Sequence, residues 1–136
     1  MIVYIFGNPA EKSDSLPIKL LPILQKNFAQ INFIHADPTE NWWQSAPTQR
    51  GEKEKDLIII DIVKGIDTVT VFDNLNTFQK QPLVTPHDYD LYTDLALMKK
   101  VGKIESVLII GIPFGQKQKT VMNSLAPIIN RLKMRA

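Results

Sequence analysis

Short apolar runs alternate with polar stretches that carry proline and glycine, and the spacing within each run sets the element it predicts. Ile2 to Phe6 is β-branched and aromatic and stops at Gly7-Asn8-Pro9, a cluster that turns the chain and breaks a ladder, so it reads as a buried first strand. Beyond the polar stretch Ala10 to Ser15, apolar residues recur at Ile18, Leu21, Leu24 and Phe28. That spacing predicts a helix, with Ser15 as N-cap, Pro17 near its first position and Pro22 as a kink. Ile31 to Ala36 is a second short strand. Asp37-Pro38-Thr39 then interrupts the chain before a brief helix, Glu40 to Gln44, that contains Trp42 and Trp43.

Ser45 to Lys55 is polar and reads as a surface loop rather than a linker between domains. Leu57-Ile58-Ile59-Ile60, ending in Asp61, is the unbroken apolar run of a central strand covered on both faces. Thr68 to Phe72 predicts another strand. The turn through Lys64-Gly65 is too short for a parallel crossover, so this strand should run antiparallel and lie at an edge. After an irregular stretch from Asn74 to Pro86, a helix beginning near Asp88 sets Leu91, Leu95 and Met98 on one face and ends at Gly102. Val107 to Ile112 is the last strand, closed by Pro113. A final helix from about Thr120 buries Val121, Leu125, Ile128 and Leu132 and bends at Pro127.

The order β-α-β-α-β-β-α-β-α predicts an α/β fold: a three-layer sandwich with a mostly parallel, twisted five-stranded sheet, one antiparallel edge strand and helices on both faces. At 136 residues the chain suits one domain over 1–136. Hydrophobic residues at 44% and charged residues at 22% match ordinary globular proteins, which argues against disorder. A net charge of +2 gives no field that would favour nucleic acid, and no run approaches the roughly 18 apolar residues of a membrane span. The chain opens directly on its first strand without a basic region and long apolar run, so no signal peptide and a cytoplasmic location are expected. With no long exposed apolar stripe, a monomer is expected as well.

The chain has no cysteine, so disulfides, thiolate metal sites and a cysteine nucleophile are excluded, and any metal must be held by oxygen and imidazole. In open parallel sheets ligands bind beyond the carboxyl ends of the strands, where crossovers diverge. That rule selects the stretch after strand one with Asp14, the end of strand three with Asp61, and the start of the third helix with His87. Two carboxylates and an imidazole suit nickel, zinc or manganese better than calcium or magnesium. Each also has a plainer reading: Asp61 as a turn residue or helix cap, Asp14 as a solvated loop residue, His87 as part of a helix-starting turn. His35 near the end of strand two is a candidate fourth ligand, or a hydrogen-bond donor to one. Trp42 and Trp43 offer either core packing or a surface patch for a peptide. Gly7-Asn8-Pro9 lacks the spaced glycines of a nucleotide-binding loop, and no serine stands in a Gly-x-Ser-x-Gly elbow.

Taken in order, Gly7-Asn8-Pro9 with Asp14, Ile58-Ile59-Ile60-Asp61 followed by Gly65 and Thr68-Val69, Pro86-His87-Asp88 with Asp94-Leu95-Ala96-Leu97, and Val107 to Gly111 resemble the hydrogenase maturation proteases along nearly the whole chain. The resemblance implies a phosphorylase/hydrolase-like fold and an endopeptidase that removes the C-terminal extension of a nickel–iron hydrogenase large-subunit precursor once nickel is inserted. It maps the family's metal-contacting and catalytic residues onto Asp14, Asp61 and His87. The nickel would be supplied by the substrate, with zinc or cadmium able to stand in, and no organic cofactor is implied. One departure stands out: where the family has an Asp-Gly-Gly-Thr run used in substrate recognition, this chain has Ala36-Asp37-Pro38-Thr39. Asp37 and Pro38 stand in place of the two permissive glycines, which implies a different precursor, and Asp37 and Thr39 are the candidate recognition residues. Two other readings follow: a non-catalytic module of the same fold that binds a precursor without cleaving it, and a small metal-dependent hydrolase with another substrate.

Overall fold

Continuous β-branched runs build the strands, and the two longest of them sit at the middle of the sheet. The computed structural model describes residues 2–6, 16–36, 56–63, 65–73, 86–100, 104 and 106–135, with backbone alone at 56, 86–91 and 135. The strands are β1 (Ile2–Phe6), β2 (Asn32–Ala36), β3 (Asp56–Val63), β4 (Thr70–Phe72) and β5 (Ser106–Pro113). The helices are α1 (Leu16–Asn27), α2 (Pro86–Lys100) and α3 (Gln118–Arg135). One sheet has the order β2-β1-β3-β5-β4. β1 pairs in parallel with both β2 and β3, and β3 pairs in parallel with β5 over its full length, from Asp56 opposite Ser106 to Val63 opposite Pro113. β4 is the expected antiparallel edge strand, joined to β5 through Thr70–Gly111, Val71–Ile110 and Phe72–Ile109. It starts two residues later than its apolar run suggests. The Thr70 hydroxyl donates to the Thr68 carbonyl at 2.9 Å, a local bond that competes with a sheet ladder.

The strand period of two divides the side chains between two cores. Tyr4, Phe6, Leu57, Ile59, Val63, Phe72, Val107 and Ile109 pack on one face with Leu95 and Met98 of α2. On the opposite face, Val3, Ile5, Ile58, Ile60, Ile62, Ile110 and Ile112 meet Leu20 and Leu24 of α1 and Val121, Leu125 and Ile129 of α3. Helices therefore cover both faces, as the pattern predicts.

Two helical stripes differ from expectation. In α1 the buried residues are Pro17, Leu20 and Leu24, while Ile18 and Leu21 are only half-buried. Beyond α1, the Phe28 N–H bonds to the Leu24 carbonyl (2.9 Å) and the Ile31 N–H to the Phe28 carbonyl (3.0 Å), a turn that carries both side chains into the core. In α3 the third buried residue is Ile129 rather than Ile128, because Val121, Leu125 and Ile129 follow a straight four-residue row and Ile128 lies at its margin. The predicted helix at 40–44, with Trp42 and Trp43, lies outside the described residues. No described helix is long and apolar enough to cross a membrane.

Pro127 lies inside α3 on its exposed side. It removes one N–H from the helical ladder and crowds the carbonyl four residues earlier, at Asn123, a cost of about 3 kcal/mol that its restriction of the unfolded chain offsets by about 1 kcal/mol. Pro127→Ala is expected to stabilise the protein by about 1–2 kcal/mol in urea unfolding, and a lowered midpoint would show that the proline is needed for packing.

Candidate functional site

Asp61 does not end its strand. β3 continues through Ile62 and Val63, which pair with Ile112 and Pro113 of β5, so a residue expected at a strand terminus lies inside the ladder. The reason is visible in the side chains: Ile62 and Val63 are β-branched and add buried area on both faces, which favours two further residues of strand. What does end here is the neighbouring strand. Ile5 pairs with Ile60, so Asp61 is level with Phe6, the last residue of β1. β1 connects leftward to β2, whereas the chain returns from β2 across β1 to β3, so the gap between β1 and β3 is the point where the crossovers diverge.

Asp61 is 0% exposed and is the one charged residue buried among the described residues. It falls between Ile59 and Val63 on the face that α2 covers. The Ile62 N–H donates to its Oδ1 at 2.9 Å, which fixes the carboxylate against its own backbone. At this level the α2 side of the sheet presents Phe6 on β1, Asp61 on β3, Gly111 on β5 and Thr70 on β4.

α2 carries the candidate histidine. Its last residue, Lys100, precedes by a short connection Ser106, which pairs with Asp56 at the amino end of β3. The helix is roughly 22 Å long, close to the length of the strands it covers. His87 is the second residue of its first turn, after Pro86 at the position a proline suits. The His87 side chain lies outside the described residues.

Asp14 also lies outside the described residues, in the stretch between Phe6 and Leu16, as do Asp37 and Thr39, which follow Ala36 at the end of β2. Among the described residues no group of three or more His, Asp or Glu is placed to hold a metal. His35 is a correction. It pairs with Ile5 and shares the face of Phe33, the side of α1 and α3, so it stands on the opposite face of the sheet from Asp61, and it is exposed. That position separates it from Asp61, and β2 ends one residue beyond it, at Ala36.

Sequence reasoning passed over Gly111. It is in register with Asp61, and a Cβ there would lie 3.0 Å from Phe72 Cε2, 3.0 Å from Val63 Cγ2 and 3.1 Å from Ile66 Cδ1. The signal was a lone glycine inside an apolar strand, which marks a close approach. Gly111→Val is expected to cost about 1–3 kcal/mol in denaturant unfolding, because those three apolar groups must be displaced from a closed site. An unchanged midpoint would show that they can move.

No family model matches the chain, and no curated protein matches it in sequence. Solved structures do match it in shape. The hydrogenase maturating endopeptidase HybD from E. coli superposes with a TM-score of 0.70 over 99% of this chain and 93% of that one, at 12% identity. The nickel–iron hydrogenase maturation protease HybD from Thermococcus kodakarensis gives 0.68 over 96% and 97%, at 18% identity. An endopeptidase from Escherichia coli, determined in solution, gives 0.64 over 100% and 94%, at 12% identity. At these identities the likeness speaks for architecture, and the chain has the fold of the hydrogenase maturation endopeptidases.

Proposed function

We propose that the chain is a hydrogenase maturation endopeptidase that removes the C-terminal extension of a nickel–iron hydrogenase large-subunit precursor, with Asp14, Asp61 and His87 gripping the nickel that the precursor carries. The observation that carries this reading is the burial of Asp61 at the divergence of the β1 and β3 crossovers. A carboxylate taken out of water is held by hydrogen bonds, ion pairs or a cation, and the Ile62 N–H supplies one such bond while the ion of a loaded precursor would add another. The names of the two HybD structures support the same reading.

The donor set suits the chemistry. Two carboxylates and one imidazole, in a chain without cysteine, form a borderline site for nickel, with zinc or cadmium as substitutes, and leave positions for the precursor's own ligands. The nickel is part of the substrate and holds the scissile segment against the site or polarises its carbonyl toward water. Asp61 acts as a ligand and not as the general base, because a carboxylate facing a cation loses proton affinity. Its rigid hold by the Ile62 N–H fixes the approach of the ion before the precursor arrives. Asp37 and Thr39, just beyond β2, read the precursor around the cleavage point.

The test is to mix the purified chain with nickel-loaded and nickel-free large-subunit precursor and to follow the C-terminal peptide by mass spectrometry. Release from the loaded precursor alone is expected. Association without release would favour a binding module, and release from unrelated peptides would favour a hydrolase of another kind.

A further inference from the structure

We infer that Ile66, on the turn between β3 and β4, is a positioning residue for Asp61: with Val63 and Phe72 it occupies the space beside the carboxylate that Gly111 leaves open, and closes that side of the site to water. The inference rests on the site proposed above and adds a residue to it.

Three observations meet at this point. Gly111 is the in-register neighbour of Asp61 on β5, on the face covered by α2, so a side chain there would stand next to the carboxylate. The place is already filled: Phe72 Cε2, Val63 Cγ2 and Ile66 Cδ1 all lie within 3.1 Å of where a Cβ would be. The filling comes from three separate pieces of backbone, β4, β3 and the turn after β3, so it is an assembled wall and not one bulky neighbour. Gly65, at φ +90°, reverses the chain directly before Ile66 in a conformation that other residues rarely adopt, and so brings Ile66 back over the sheet.

Val63 and Phe72 are 3% and 2% exposed and serve the core in any case. Ile66 is half-buried, packing inward while its outer side meets solvent. It is therefore the outer member of the wall, and the one whose removal lets water reach Asp61 with the least change elsewhere. The chemical purpose follows from the charge. A carboxylate backed by hydrocarbon on the β5 side attracts a cation more strongly than one open to water, and it leaves a ligand no approach from that side. The wall thus sets the direction from which the precursor's metal approaches.

Ile66→Val removes Cδ1, the wall atom itself; Ile66→Ala removes more; Ile66→Met restores the reach. Val71→Ala, on the exposed side of β4, is the control. Carboxyl labelling with a water-soluble carbodiimide and an amine, read by mass spectrometry, reports on Asp61 whether or not the protein cleaves anything. Asp61 is expected to stay unlabelled in the wild type, Ile66→Met and Val71→Ala, and to gain label in the order Ile66→Val, then Ile66→Ala. An unlabelled Asp61 in both deletion variants, or equal labelling in Val71→Ala, overturns the wall. With the nickel-loaded precursor, kcat should fall by about 10–100-fold in Ile66→Ala at unchanged KM and recover in Ile66→Met. A labelled Asp61 with unchanged kcat overturns the positioning role, whereas a wild type that labels as expected but cleaves nothing overturns the proposed function and leaves the wall standing.

Discussion

Asp61→Asn should abolish release of the C-terminal peptide while the fold survives. Asparagine has the same shape, and its carbonyl oxygen can accept the bond that the Ile62 N–H makes to Oδ1 at 2.9 Å. It carries no charge, so the burial of position 61 becomes easier, and the thermal midpoint should hold or rise. The loss falls on the cation. Removing one anionic ligand from the proposed three-residue grip would forfeit several kcal/mol of the metal's contribution to the transition state, or about a 10²–10³-fold loss in rate at roughly tenfold per 1.4 kcal/mol. Cleavage timed by mass spectrometry, beside a melting curve for each protein, separates the two effects. If the Asn variant cleaves at the wild-type rate, Asp61 is a structural carboxylate and the proposed site is wrong.

The second large effect is on stability. Phe6 is fully buried at the end of β1 and packs in the core beneath α2, level with Asp61. Phe6→Ala should cost about 3–5 kcal/mol, the sum of lost transfer energy and a cavity that a sheet paired on both sides of β1 cannot collapse to fill. Urea unfolding with an unchanged slope measures it. A cost below about 1 kcal/mol would mean that the site rearranges freely, which conflicts with a preorganised carboxylate next to it.

Much of the architecture was legible in the residues because the apolar runs are long and β-branched. Leu57 to Ile60 and Val107 to Ile112 had to be central, and the short Lys64-Gly65 turn had to give an antiparallel edge. Boundaries were less legible. A charged residue reads as the end of a strand, yet Ile62 and Val63 carry β3 past Asp61, since pairing with β5 outweighs the local preference of one aspartate. The α1 stripe misled for a related reason: Ile18, Leu21 and Leu24 satisfy the helical spacing as well as Pro17, Leu20 and Leu24 do, and only packing against the sheet decides between them. For the site, the choice of Asp61 and His87 followed from the rule that parallel sheets bind at their carboxyl edge. His35 needed the register with Ile5 before its face was known, and Gly111 needed the register with Asp61.

The pairing of β3 with β5 joins segments about fifty positions apart in the chain, and contacts of such long range slow folding, because loop closure must be met before the ladder forms. On a ribosome the first four strands would emerge well before the fifth. Asp61 acquires its neighbour Gly111 only when β5 has been made, so the proposed site cannot be assembled before that strand has left the ribosome.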